Sequence, residues 1–282
     1  MNFAVSSIAF LGKPVEEIVD SCTKNSWALE FSSGMPFRSD MEKIFLDTKI
    51  KKYAHNYFPA PEIPFVLNLA STNETLRLLS VSHCLKGLEL SSKAKAPFFS
   101  AHAGFCIDPN PEELGNQLNK NHELNKEKNW KVFKESLHVI LKKASELNMK
   151  FLIENNVIAK MNLYENGINP LFCCEENEIK QLFREMKNPS LGLLLDTAHW
   201  KVSGNTLGFD FKKSINNIRH FIDCIHHSDN EGEFDNNLSI DAKYWFLPEM
   251  RSFKNTLHVL EVKKIKESEI EIQMNLLKHS MN

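Results

Sequence analysis

Leu191-Gly192-Leu193-Leu194-Leu195-Asp196-Thr197-Ala198-His199-Trp200 is the stretch on which the fold turns. Its apolar run is too short for most helices and reads as a strand buried on both faces, the habit of parallel strands beneath helices. The run stops at an acid, Asp196, and His199 follows three residues on, where a turn can aim it back at the same point. In a barrel of parallel strands, chemistry collects at the strands' C-terminal ends. The other strands are therefore read for what closes them.

The same alternation runs along the whole chain. Residues 3–10, 27–32, 52–57, 97–102, 149–154, 191–196, 222–228 and 257–262 read as strands. Helical patterns fall between most of them, over 14–24, 40–48, 72–92, 130–147, 176–186 and 211–221, and another closes the chain at 267–278. Residues 105–127, 155–174 and 229–241 read as long polar or irregular loops. Eight strands so separated predict a single (β/α)8 barrel over residues 1–282. An open doubly wound sheet would advertise a glycine-rich phosphate turn after its first strand, and here that turn is Leu11-Gly12-Lys13-Pro14.

Composition narrows the function classes. The chain has 282 residues, 42% of them hydrophobic, and a formal charge of -2, enough for one large core and without a global field for nucleic acid. No apolar run reaches the ~18 residues of a membrane span. The first residues lack a basic region and a cleavage pattern, so no secretory signal is expected. Cys22, Cys84, Cys106, Cys173, Cys174 and Cys224 are scattered without C-x-x-C spacing, which fits a reducing cytoplasm.

The strand ends are the informative part. Glu30 falls near the end of the second strand, His55 the third, His102 the fourth, Glu154 the fifth and Asp196 the sixth; His226 and His227 lie in the seventh and Glu261 in the eighth. Carboxylates and imidazoles are ligands of Zn2+, Mn2+, Co2+ and Mg2+. A ring of them around one axis predicts a metal site. A carboxylate closing a buried strand is costly unless paired or metal-bound, which makes Glu154, Asp196 and Glu261 the leading ligands; the plainer reading of Asp196 is a helix N-cap. Adjacent strand residues face opposite ways. His226 shares a face with Ser228, the polar and pocket-side face, so His226 is preferred to His227. His55, His102 and His199 read equally as ligands, substrate contacts or structural histidines. Lys263 reads as a salt-bridge partner or a substrate-phosphate contact. His83, His138, His220, His258 and His279 read as structural or surface residues.

The segments FLIEN (151–155), LLLDTAH (193–199), IHHSDN (225–230) and HVLEVK (258–263) together resemble the xylose-isomerase-like TIM-barrel superfamily, which holds sugar-phosphate isomerases and epimerases and the endonuclease IV type of AP endonuclease. The resemblance spans nearly the whole barrel. It implies one divalent ion (Mn, Co, Zn or Mg) on Glu154, Asp196, His226 and Glu261. The two glutamates would also flank the substrate carbon and trade its proton through an enediolate, with His55, His102, His199 and Lys263 on the substrate side. The endonuclease branch implies more than one ion, using further histidines, and an Asp-x-His after the seventh strand. Here Asp235 is followed by Asn236 and Asn237, so the histidine's place is taken by Asn237.

The expected function is thus a metal-dependent sugar or sugar-phosphate isomerase or epimerase, with an endonuclease IV-like phosphodiesterase or a non-catalytic metal-binding barrel as alternatives. The expected partner is a small-molecule sugar or sugar phosphate rather than nucleic acid or a membrane, with a homo-oligomer left open. The lysines of residues 120–134 are interrupted by glutamates and read as a solvated face. The motifs of P-loop, zincin and serine-hydrolase chemistry are absent from the sequence.

Overall fold

The structure, a computed structural model, describes residues 2–121 and 123–281. Its strands are β1 (Phe3–Ser6), β2 (Ala28–Phe31), β3 (Lys52–Ala54), β4 (Phe98–His102), β5 (Lys150–Glu154), β6 (Leu191–Asp196), β7 (Ile222–His227) and β8 (Leu257–Leu260). Every pairing between them is parallel. The order is β3-β2-β1-β8-β7-β6-β5-β4, and the two free edges meet at a single parallel bridge between His55 and Ser100. The sheet is thereby rolled into a nearly closed (β/α)8 barrel. Around it lie α1 (Val15–Asn25), α2 (Met41–Asp47), α3 (Glu74–Lys93), α4 (Lys126–Glu146), α5 (Glu176–Met186), α6 (Thr197–Leu207), α7 (Phe211–Ile218) and α8 (Glu267–Ser280).

The period-two alternation of a strand decides what the barrel encloses. Phe98, Leu152, Leu194, Cys224, Leu257 and Val259 belong to one small apolar cluster inside the barrel, with Ala4 and Tyr53. The Tyr53 and Phe98 rings stack with centroids 5.6 Å apart and plug the lower end. Two residues further along the same strands, on the same face, come Ser100, Glu154, Asp196, His226 and Glu261. The intervening residues, among them Phe99, Phe151, Leu193, Leu195, Ile225 and Leu260, face outward into the larger core beneath the helices. All six residues of β6 are buried, as the opening stretch predicts. Gly192 admits no side chain, because a Cβ there would sit 2.4 Å from Leu152 Cδ2 and 2.1 Å from Asp223 Oδ2.

Two differences from the sequence-based expectation have physical causes. The first strand stops at Ser6, and Ser7–Phe10 turn into a 3-10 helix that Ser7 Oγ ties to β2 by accepting from Ser32 N at 3.0 Å. Directly after β6, where a turn was expected, α6 begins. Asp196 is its N-cap, Oδ1 accepting from His199 N at 2.8 Å, and Gly208 closes it in the left-handed conformation. The connection from β7 to β8 carries only a 3-10 helix, Leu247–Phe253, among the described residues.

His227 faces away from the barrel interior and joins a buried relay. His258 Nε2 donates to Phe253 O (3.0 Å), which leaves His258 Nδ1 to accept from His227 Nε2 (2.8 Å), and His227 Nδ1 in turn to accept from Tyr244 Oη (3.0 Å). With both rings neutral every nitrogen in the relay is satisfied. Burial pushes the His258 pKa down to about 4 and, with His258 beside it, His227 well below the usual range. A depressed histidine pKa stabilises the fold fully above the unfolded value of 6.5 and loses that contribution as pH falls toward 4. Urea unfolding between pH 7 and 4.5 is therefore expected to show a stability slope from His258 of roughly 1 kcal/mol per pH unit, which a His258→Gln variant lacks.

Candidate metal centre

Glu154 closes β5, Asp196 closes β6, His226 lies near the end of β7 and Glu261 sits one residue past β8. All four are buried, and one ligand atom from each falls within 4.8 Å of the others. The register explains the convergence, since Asp196 pairs with His226 across β6–β7 and His226 with Val259, two residues before Glu261, across β7–β8. His226 Nδ1 is 2.8 Å from Glu261 Oε2 and 3.6 Å from Glu154 Oε1. A second group, His55, His102 and Glu154, shares Glu154 with the first. Its His55 Nε2 and His102 Nδ1 stand 3.1 and 3.3 Å from Glu154 Oε2, without hydrogen-bond alignment.

The donors fit a divalent cation. Glu154 Oε2 and Asp196 Oδ2 are buried and have no hydrogen-bond partner among the described residues. Three carboxylates facing one buried space cost several kcal/mol each in lost hydration unless a positive charge joins them. Nitrogen and carboxylate donors suit Zn2+, Mn2+ or Co2+.

Without an ion, the histidines carry the compensating charge. Burial opposes protonating His226, but the Glu261 and Glu30 carboxylates outweigh it and raise its pKa well above the usual value. Glu30, buried on β2, takes the far side of the ring, with His226 Nε2 3.0 Å from Glu30 Oε2. Burial likewise opposes charging His199, and Asp196 and Asp235 overcome it; Nδ1 donates to Asn155 O at 2.9 Å and Nε2 to Asp235 Oδ2 at 3.1 Å. His102 goes the other way, held down to about 4 chiefly by burial. Burial pushes the Asp196 carboxyl well up; His199 opposes, and Glu261 adds to the rise.

Above the carboxylates lies a cavity of about 520 Å3. His102 and His199 line it, whereas His55 is buried behind Glu154, its Nδ1 2.8 Å from Ser100 Oγ. Lys263 is exposed and outside the lining; its backbone N donates to Asn237 O. The structure adds two residues that the strand-end pattern did not single out. Glu30 was visible as an acid at the end of a short strand but carried no hint of its imidazole partner. Asn155 clasps the ends of β5 and β6, its Oδ1 accepting from Asp196 N (2.8 Å) and its Nδ2 donating to Asp196 O (3.2 Å).

A family profile described as xylose isomerase-like TIM barrel matches residues 32–267. The chain belongs to the xylose isomerase-like TIM-barrel family. Among solved structures, a D-tagatose 3-epimerase-like protein superposes with a TM-score of 0.75 at 17% identity, covering 99% of this chain and 98% of its own. The TTHB071 protein from Thermus thermophilus, soaked with ZnCl2, superposes at 0.67 and 17% identity over 99% of both chains. The 3-keto-D-glucoside 4-epimerase YcjR from E. coli superposes at 0.67 and 12% identity over 99% and 98%. No curated protein matches the chain by sequence. At these identities the solved structures establish the shared fold.

Adding Zn2+, Mn2+ or Co2+ at about 100 times its Kd to protein stripped with chelator is expected to stabilise the fold by about 2.7 kcal/mol, raising Tm by roughly 5–10 °C. Calorimetry in buffers of different ionisation enthalpy should show proton release near pH 7, because His226 must give up its Nδ1 proton to ligate. An Asp196→Asn variant should lose most of both signals.

Proposed function

We propose that the protein is a divalent-metal-dependent sugar isomerase or epimerase that moves a proton on the carbon next to a carbonyl. The observation that carries this reading is the buried group in which the Glu154 and Glu261 carboxylates flank His226, beside the open cavity that His102 and His199 line. Glu154, Asp196, His226 and Glu261 would hold the ion, which when bound supplies positive charge to a developing enediolate. Glu154 on β5 and Glu261 beyond β8 reach the reacting carbon from different sides of the barrel. One can take a proton from one face while the other returns it to the opposite face. Without an ion, burial raises the Glu261 pKa and the His226 charge overcomes it; once His226 gave up its Nδ1 proton to ligate, the ion would supply that positive charge and keep Glu261 ionised and able to accept. His199, with both nitrogens hydrogen-bonded outward, presents a fixed positive edge to the cavity. Two of the similar structures, an epimerase and an epimerase-like protein, point the same way.

The second ligand group favours one other reading, a multi-ion phosphodiesterase, because His55, His102 and Glu154 could hold an ion of their own. Two observations weigh against it. Position 237 is Asn, its Nδ2 donating to Ser228 Oγ at 3.4 Å. Among the described residues that line the cavity, none is Lys or Arg, and phosphate esters are held by such cations. The same absence, with Lys263 outside the lining and the His199 charge already paired with Asp235, favours an uncharged sugar over its phosphate.

Deuterium wash-in from D2O, followed by NMR over a panel of free and phosphorylated ketoses with Mn2+, Co2+ or Zn2+, tests the reading. Exchange is expected on free sugars only. Glu154→Gln and Glu261→Gln at saturating metal should each lose 10²–10⁴-fold of it, in the range of a general acid or base. Exchange at the parent rate in both variants overturns the proposal, and nicking of abasic DNA in its place supports the phosphodiesterase. Glu30→Gln removes the carboxylate that orients the His226 ring and is expected to weaken metal affinity roughly 10–100-fold, measured by chelator competition.

A further inference from the structure

The cavity is chemically divided, and the division names a class of ligand. Its uncommitted polar atoms collect at the inner end. Asp235 Oδ1 and Asn56 Oδ1, with Asp196 Oδ2 below them, are buried and lack hydrogen-bond partners among the described residues, and His102 Nδ1 faces only Glu154 Oε2 at 3.3 Å. The polar side chains that the outer loops contribute are already spent on their own backbone. Asn162 accepts from Leu118 N (2.9 Å) and donates to Asn116 O (3.1 Å). Glu113 accepts from Asn110 N (2.6 Å) and Asn119 N (2.7 Å). What those loops leave facing the cavity, apart from the exposed Asn236, is apolar. Val66, Phe105, Leu118 and Leu171 are buried in one cluster that lines it, and Leu114 and Phe234 stand half-exposed at its rim.

A ligand hydroxylated along its whole length would strand hydroxyl groups against that wall, each unpaired polar group costing on the order of 1–3 kcal/mol. Among the described residues no Lys or Arg lines the cavity, and the one charged imidazole there, His199, is already paired with Asp235 (3.1 Å), so an anionic ligand gains no free cation. The volume, about 520 Å3, falls in the ~300–1,000 Å3 range of sites that bury drug-sized ligands. Resting on the isomerase reading of the same site, we propose that the substrate is an uncharged sugar that keeps a free carbonyl and bears an apolar alkyl or aryl group, as in a glycoside with a keto group on its ring. The sugar ring lies at the carboxylates, and the apolar group lies along the wall made by residues 105–118 and 171, under Leu114 and Phe234.

The test needs no turnover. Binding of methyl, butyl, octyl and phenyl β-D-glucopyranosides, each below its micelle concentration, is measured by calorimetry on metal-loaded and metal-stripped protein, with glucose and glucose 6-phosphate as references. Affinity is expected to climb two- to fourfold per added methylene, the upper figure matching full burial, with phenyl above methyl by at least tenfold and the phosphate showing no binding. Leu114→Asp and Phe234→Asp, at half-exposed positions, should erase at least tenfold of the octyl affinity while metal affinity stays at the parent value. A flat series from methyl to octyl overturns the inference, as does a gain that persists in both Asp variants. The outcomes separate from those of the exchange assay. Exchange on small free sugars with a flat series sinks this inference and leaves the isomerase intact, whereas a steep series without exchange does the reverse.

Discussion

Three carboxylates and one imidazole are buried in one space, and the rest of the molecule is arranged around keeping them there. Such a group is unstable in isolation, because like charges within 4.8 Å repel and each has left its hydration behind. The protein without a cation answers by charging His226 and His199 and by pushing protons toward Asp196. These are the responses of a buried acidic group that gathers positive charge from its neighbours. The backbone answers too. Asn155 locks β5 to β6 at the level of Asp196, and Thr197 Oγ1 donates to His226 O at 2.9 Å, so neither strand end can drift to relieve the repulsion.

That rigidity comes from below. The barrel interior beneath the group is filled by Leu152, Leu194, Cys224, Val259 and the stacked Tyr53–Phe98 pair. The polar layer thus rests on a dry floor, where low dielectric strengthens every contact above it. The weak seam is between β3 and β4, joined by the His55–Ser100 bridge, with Asn56 N donating to Ser100 O at 2.6 Å. His55 sits at that seam and reaches Glu154. The second ligand group therefore also fastens the barrel's last opening.

How much of this was legible follows from the period of each signal. The eight strands were readable because parallel strands buried on both faces leave short apolar runs, and β6 and α5 matched to the residue. The convergence of Glu154, Asp196, His226 and Glu261 was readable because each interrupts or closes such a run. The helix α6 was not, since Thr-Ala-His-Trp-Lys-Val-Ser-Gly-Asn-Thr-Leu has no clean apolar stripe; its start depends on the Asp196 cap, a residue also in the ligand group. The two readings of Asp196 were never exclusive, because one oxygen caps the helix and the other is left for the site. The link between Glu30 and His226 spans 196 residues, and no local pattern in the chain encodes it.

The division of labour around His226 connects these points. A histidine between two carboxylates has one nitrogen for chemistry and one for orientation, and the structure distinguishes them by depth. Nδ1 faces Glu261 and Glu154 in the shared space, while Nε2 is turned down to Glu30, whose other oxygen is buried without a partner among the described residues. On the proposed reading, ligation at Nδ1 leaves the other proton on Nε2, which donates it to Glu30 Oε2, so the ring stays a neutral donor and Glu30 keeps the one hydrogen bond that makes its burial tolerable. Reversing the ring would put Nε2 among the carboxylates and strand Glu30 in the barrel core as an uncompensated charge. Glu30 therefore acts from outside the ligand group to fix which face of the imidazole the site can use.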